Sequence, residues 1–181
     1  EWYEKAASQG DEKAETTISA IKGDANAQYE LGDMYYYGEG YYYGEGVEKD
    51  YKKAFEWYEK AASQGLAIAQ FSLGLMYDKG EGVKKDIKKA FEWYEKAASQ
   101  GLAEAQFSLG FMYYDRIGVK KDIKKAIECF EKAASQGFAD AQYILGIMYD
   151  VGEGVKKDIK KAKKLFKEAC NGGHQDSCKL I

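Results

Sequence analysis

Glu-Lys-Ala-Ala-Ser-Gln-Gly stands at residues 59–65, again at 95–101 and again at 131–137, a step of 36 residues each time. A drifted copy, Lys167-Glu168-Ala169-Cys170-Asn171-Gly172-Gly173, follows one more step along. A second motif, Leu-Gly-x-Met-Tyr, keeps the same step at 73–77, 109–113 and 145–149. A fixed period of this length marks stacked supersecondary units, each burying its apolar face against its neighbours. The chain therefore reads as one elongated array rather than an ordinary globular domain.

Composition agrees with an array of helices. Of 181 residues, 45% are hydrophobic and 31% charged, and the formal net charge is −3. That balance gives no overall drive toward nucleic acid or anionic lipid. No apolar run approaches the ~18–20 residues of a membrane span. No secretory leader is visible, although the chain starts at Glu1 in mid-repeat, so a leader could have been cut or left out. Proline is absent, which suits uninterrupted helices and leaves the turns to glycine.

Residues 66–101 make one unit. Ala69, Leu73, Met76 and Tyr77 fall at i, i+4, i+7 and i+8, one stripe of a first helix. Gly80-Glu81-Gly82 ends it, because glycine takes positive φ without a Cβ penalty. Val83 anchors the loop, and Asp86 is placed to cap a second helix. That helix carries Ile87, Ala90, Phe91, Tyr94, Ala97 and Ala98 on one face. Trp93 lies off the stripe and is expected to pack against the next unit. Gly74 sits inside the first helix, where glycine costs about 1 kcal/mol relative to alanine. Gly32, Gly110 and Gly146 hold the same place. The repeated penalty implies a neighbouring helix too close for a Cβ, with the small pair Ala97-Ala98 as the expected facing surface.

These residues resemble the Sel1-like repeat, a helix–turn–helix relative of the tetratricopeptide repeat. The resemblance is carried by Ala69-Gln70, Leu73-Gly74, Met76-Tyr77, Gly80-Glu81-Gly82-Val83, Asp86, Lys89-Ala90, Trp93 through Ala98, and Gly101. It implies an all-α, right-handed superhelical α/α solenoid of antiparallel helix pairs. It also implies an adaptor role in protein–protein contacts, often in bacterial secreted, periplasmic or signalling proteins. The expected organisation is an irregular N-terminal cap or extra helix segment at 1–24, then a first repeat at 25–65 with a six-residue loop insertion. Repeats follow at 66–101, 102–137 and 138–173, and 174–181 start a further first helix, as a C-terminal cap or truncated repeat.

Comparing the copies separates a constant frame from a changing face. The changing positions are Asn26, Glu30, Asp33 and Tyr37; Ile68, Ser72, Leu75 and Lys79; Glu104, Ser108, Phe111 and Asp115; and Asp140, Ile144, Ile147 and Val151. Their spacing of +4, +3, +4 puts each quartet on one face of a first helix. Repeat arrays bind along an extended concave face, so these sixteen residues are the candidate partner surface. The first quartet is acidic and polar, whereas the last is mostly apolar. A peptide or helix with a basic end and an apolar end would suit it. The competing reading is a set of unconstrained solvent positions, against which Leu75, Phe111, Ile144 and Ile147 are expensive choices. The Lys84-Lys85 and Lys88-Lys89 pairs and their copies read as a solvated ridge.

Four irregularities stand out. The loop Tyr35-Tyr36-Tyr37-Gly38-Glu39-Gly40 is followed by its duplicate, Tyr41-Tyr42-Tyr43-Gly44-Glu45-Gly46, either a slipped duplication or an aromatic finger for a partner. Residues 1–10 repeat the end of a second helix and have no obvious place in the stack. A short helix is expected around Ala14–Lys22, its end mimicking a normal second helix. Arg116-Ile117 replaces Gly80-Glu81 one period on, which should bend that loop differently.

Cys170 replaces Ala62, Ala98 and Ala134, and Cys178 replaces Gln70, Gln106 and Gln142. Two simultaneous substitutions at a helix end and the next helix start point to pairing. The spacing also resembles the Helicobacter cysteine-rich proteins, in which such a bridge closes each repeat. The expected disulfide favours an oxidising compartment, the bacterial periplasm or the exterior; two buried thiols in a cytoplasmic protein are the alternative. Cys129 stands where Trp57 and Trp93 stand, as a packing residue.

Chemistry is thinly supported. His174 is the sole histidine, so His-based metal sites and most triads are disfavoured. No catalytic residue, metal or cofactor is expected. Ser19-Ala20-Ile21-Lys22 fits the Ser-x-x-Lys nucleophile pattern, and the cysteine-rich relatives have been associated with weak penicillin-directed activity. No Ser-Asp-Asn or Lys-Thr-Gly follows it. The reading is a protein-interaction scaffold binding a protein or peptide partner. Two alternatives stay open: a weak penicillin-binding or β-lactamase-like enzyme, and a structural solenoid that self-associates end to end.

Overall fold

The computed structural model describes residues 12–38, 47–115 and 117–181. Among them every regular element is a helix. In chain order these are α1 (Glu12–Ile21), α2 (Ala25–Tyr37), α3 (Tyr51–Ser63), α4 (Ala67–Lys79), α5 (Ile87–Ser99), α6 (Ala103–Asp115), α7 (Ile123–Ser135), α8 (Ala139–Val151), α9 (Ile159–Asn171) and the short α10 (Gln175–Cys178). The first helices of the repeats are α2, α4, α6 and α8, and the second helices are α3, α5, α7 and α9. This is the all-α repeat fold that the periodicity implies. No described helix is long and apolar enough to cross a membrane.

The chain forms two compact units, residues 1–93 and 94–181. In the first, α1 packs on α2, α2 on α3 and α3 on α4. In the second, α6 packs on α7, α7 on α8, α8 on α9 and α9 on α10.

The same local chemistry starts and stops every pair. Each second helix opens on an aspartate whose carboxylate accepts from backbone N–H groups otherwise left without partners. Asp86 Oδ1 accepts from Lys88 and Lys89, both at 3.1 Å. Asp50, Asp122 and Asp158 act alike at 2.9–3.1 Å. The first helices α2, α4 and α8 end at a glycine in the left-handed region, with φ of 78° at Gly80, and residue i+5 closes the turn. Glu81 N donates to Met76 O at 3.1 Å and Glu153 N to Met148 O at 3.0 Å. Ile117 N makes the same bond to Met112 O at 3.0 Å. Arg116, the second Tyr-rich copy at 41–46, and residues 1–10 lie outside the described residues.

The mid-helix glycines are required, but not by the alanine pair. A Cβ on Gly110 would meet the Phe130 ring at 2.6 Å, one on Gly146 the Phe166 ring at 2.5 Å, and one on Gly32 the Tyr58 ring at 2.6 Å. The facing surface is the aromatic of the second helix, which is buried in each of these repeats. Trp57 packs against Ala20, Ala27 and Leu31 of α1 and α2, the elements before it rather than the unit after it.

Repeats are joined by glutamine. Gln28, Gln70, Gln106 and Gln142 are all buried. Each Nε2 donates to the carbonyl eight residues earlier: Ala20 at 3.1 Å, Ala62 at 3.2 Å, Ala98 at 3.3 Å and Ala134 at 3.2 Å. A second rung crosses between units of sequence. Gln64 Nε2 reaches Gln28 Oε1 at 2.8 Å, and Gln136 Nε2 reaches Gln106 Oε1 at 2.9 Å. In the fourth repeat Gly172 takes the place of Gln136, and Gln142 Oε1 is left buried with no partner. At the next junction the hydrogen bond itself is replaced: Cys170 and Cys178, also eight residues apart, form a disulfide.

Candidate functional site

Each candidate quartet rides on one first helix. Its outer members are exposed: Asn26, Glu30 and Tyr37 on α2, Lys79 on α4, Glu104 and Asp115 on α6, Asp140 and Val151 on α8. The inner members are half-buried: Asp33, Ile68, Ser72, Leu75, Ser108, Phe111, Ile144 and Ile147. The middle of the face thus rests on the core, and only its edges stand fully in solvent.

In the first repeat the half-buried position, Asp33, is polar. The Tyr58 hydroxyl donates to Asp33 Oδ1. Tyr29 stacks on Tyr58 at 5.6 Å. Burial, followed by the charge of Asp33, pushes the Tyr29 phenol up to about 12. Burial also raises Tyr58, with the Asp33 hydrogen bond adding to it. These phenols are hydrogen-bond donors at neutral pH.

In the second unit Phe111 and Ile147, the equivalents of Asp33, are apolar, as Leu75 already is in the first. Phe111 meets Phe130 edge to face at 5.4 Å and Phe107 at 4.9 Å, and Phe107 meets Phe138 at 5.0 Å. Phe111 and Ile144 both pack against the cluster of Ile127, Phe130, Leu145 and Met148. Part of the apolar character read as binding surface therefore serves the core.

A column outside the sixteen carries contacts that inspection of the repeats did not single out. Tyr36 donates to Glu81 Oε2 at 2.7 Å, and Tyr114 donates to Glu153 Oε2 at 2.9 Å. In each case a first helix reaches the loop of the following repeat. Burial and the Glu81 bond raise Tyr36, while Tyr114 is raised first by its Glu153 bond. Lys79 Nζ also reaches Tyr36 Oη at 3.4 Å. The sequence held the signal: Asp78 breaks the tyrosine column, and the following loop has Ile117 instead of glutamate.

The lysine ridge is more than solvated charge. Lys53, Lys89, Lys125 and Lys161 sit over Tyr35, Tyr77, Tyr113 and Tyr149 at 4.0–5.1 Å. Lys121 sits over Tyr114 at 4.8 Å, and Lys85 pairs instead with Asp78 at 3.9 Å. The guanidinium-free cations hold ring faces in every repeat.

Chemical groups elsewhere have structural partners. His174 caps α10, its Nδ1 3.0 Å from Ser177 Oγ, and its ring stacks on Tyr143 at 4.1 Å. With Cys170 and Cys178 bonded to each other, neither sulfur is available as a thiolate ligand. Among the described residues no group of three or more His, Cys, Asp or Glu side chains is placed for a metal. Burial raises the Cys129 thiol, as suits a packing residue. Ser19 lies half-buried on α1 and Lys22 is exposed beyond its end.

Comparison with known proteins places this geometry. The Sel1 repeat model matches residues 1–11, 25–66, 67–102, 103–138 and 139–174. The structure is similar to c5321, a protective antigen of uropathogenic Escherichia coli displaying an SLR fold, at 38% identity and a TM-score of 0.85. That match covers 92% of this chain and 34% of the antigen, so the chain spans about a third of its length. It is similar to a Sel1 repeat protein from Oxalobacter formigenes at 34% identity and a TM-score of 0.82, covering 97% and 70%. Helicobacter pylori cysteine rich protein B matches at 32% identity and a TM-score of 0.59, covering 76% and 99%. A search of curated proteins returned no significant match.

Proposed function

The chain belongs to the Sel1 repeat family, and on that premise we propose that it is a scaffold that binds a protein partner through the outer faces of its first helices. The observation that carries this is the contrast at one repeat position. Asp33 lies among tyrosine hydroxyls, whereas its equivalent Phe111 lies among phenyl rings. One backbone frame thus presents different chemistry in different repeats, as a recognition surface does and a purely structural one need not. The first unit offers Asn26, Glu30, Asp33 and Tyr37 with Ile68, Ser72, Leu75 and Lys79. The second offers Glu104, Ser108, Phe111 and Asp115 with Asp140, Ile144, Ile147 and Val151. A partner with basic groups for the first and apolar groups for the second fits both, whether extended or helical.

A pull-down from the source organism with mass spectrometry identifies the partner. Phe111→Ala, Ile144→Ala and Ile147→Ala together should then weaken binding at least about tenfold while far-UV circular dichroism stays native. Unchanged affinity would remove the surface assignment. The disulfide, together with the likeness to a cysteine-rich Helicobacter protein, supports residence in an oxidising compartment, periplasmic or secreted. For the penicillin-directed alternative, no hydrogen bond joins Ser19 Oγ to Lys22 Nζ among the described residues. A labelled penicillin should leave the wild type and Ser19→Ala equally unlabelled.

A further inference from the structure

We propose that the outer face of α9 is a second docking surface, made for an acidic segment of a partner protein that carries an apolar side chain. The repeats themselves supply the comparison. Residues 84–96 and 120–132 each hold five lysines against three acidic residues, whereas residues 156–168 hold seven lysines against Asp158 and Glu168 alone. The difference comes from single columns. Glu56, Glu92 and Glu128 become Lys164; Glu59, Glu95 and Glu131 become Lys167; Phe55, Phe91 and Ile127 become Lys163. All seven lysines are exposed. Lys164 lies 3.7 Å from Glu168, and Lys161 reaches Tyr149 Oη at 2.6 Å. The others have no anionic partner within ion-pair distance among the described residues.

The Lys163 column decides what covers this face. Phe55 meets Tyr77 of the following repeat at 5.4 Å, and Ile127 lies against the following loop, where a Cβ on Gly154 would come within 2.8 Å of it. These are the positions on which a following repeat packs. A further repeat stacked on α9 in that manner would set Lys163 in the apolar contact that leaves Phe55 and Phe91 half-buried, an unfavourable place for an unpaired charge. An anionic partner instead gives every lysine of the face an opposite charge. Beside the lysines, Val155 and the 42%-exposed Ile159 line a shallow open hollow with Tyr149, Lys156, Lys157, Lys161 and Asp158, whose carboxylate is engaged as the α9 cap. A lipid surface is met by protruding apolar groups, whereas Val155 is half-buried and Ile159 stands among lysines. An open apolar hollow with three lysines beside it and one capping aspartate fits one apolar side chain flanked by carboxylates.

The probe is a fluorescein-labelled twelve-residue peptide of alternating Glu and Asp with one central Leu, titrated by fluorescence anisotropy against the whole chain. Binding should weaken as NaCl rises. Lys160→Glu, Lys163→Glu and Lys164→Glu together should cut affinity at least about tenfold. Ile159→Ser, or Ser for Leu in the peptide, should cut it about fivefold. The Phe111, Ile144 and Ile147 alanine variant should bind the probe as the wild type does, which separates this surface from the first-helix faces. Circular dichroism checks that each variant is folded. Absence of binding, equal binding by the triple lysine variant, or indifference to the central Leu overturns the proposal. So does capture by phosphatidylglycerol vesicles without capture of the peptide, which would make the face a lipid surface.

Discussion

At the scale of single residues, the most constrained atom in the molecule is one that is absent, the Cβ of the mid-helix glycines. Gly110→Ala gains helix propensity of about 1 kcal/mol, yet forces a carbon to within 2.6 Å of the Phe130 ring. Overpacking of a closed core costs about 1–3 kcal/mol, so a net loss is expected. A fall in the urea midpoint, recovered in the Gly110→Ala, Phe130→Leu double variant, is the measurement that checks it. A stabilised single variant would show that the ring yields freely. The penalty itself was legible, because four glycines in one helical register admit few explanations. The partner was not, since the ring stands on a different helix and no local spacing encodes which side chain crosses the gap. Asp33 teaches the same lesson: its column was readable as a helix face, but not that Tyr29 and Tyr58 would close around it.

At the scale of the element, the helices begin and end by rules read directly from sequence, and acid should undo some of them. The Lys53 backbone N–H, with that of Lys52, holds the Asp50 carboxyl below the usual carboxylate range. A carboxyl with a lowered folded-state pKa stabilises the fold above its unfolded pKa, and that contribution disappears as pH falls through the folded value. Lowering the pH below about 5 should therefore cost the wild type stability that Asp50→Asn, a neutral cap, does not lose. Urea midpoints of the two proteins should converge between pH 7 and pH 3; parallel curves would show that the cap carries no charge-dependent stability. The caps were legible because Asp before Tyr- or Ile-Lys-Lys-Ala recurs at every second helix. The lysines after them were read only as wet charge, because a cation over a ring needs two elements folded together before it exists.

At the scale of the whole molecule, a repeat array has stability distributed as local terms plus neighbour terms, and the covalent link lies at one end of it. Reduction of Cys170–Cys178 should remove about 2–3 kcal/mol of local stability, the entropy of closing so short a loop. Hydrogen exchange should show protection falling in α10 and the end of α9 while α2 to α4 stay unchanged. Uniform loss along the chain would mean that the array unfolds as one cooperative body. The bridge also reveals something about the joints. A disulfide occupies the last junction and an amide-to-carbonyl bond the earlier ones, both across eight residues, so every junction is an interchangeable socket. Lineages and engineers alike can convert them singly, leaving the backbone where it is. Ala134→Cys with Gln142→Cys is the conversion to try first, because it also removes the stranded Gln142 oxygen. Thiol titration should then find one free cysteine, Cys129, and two staples in place of one.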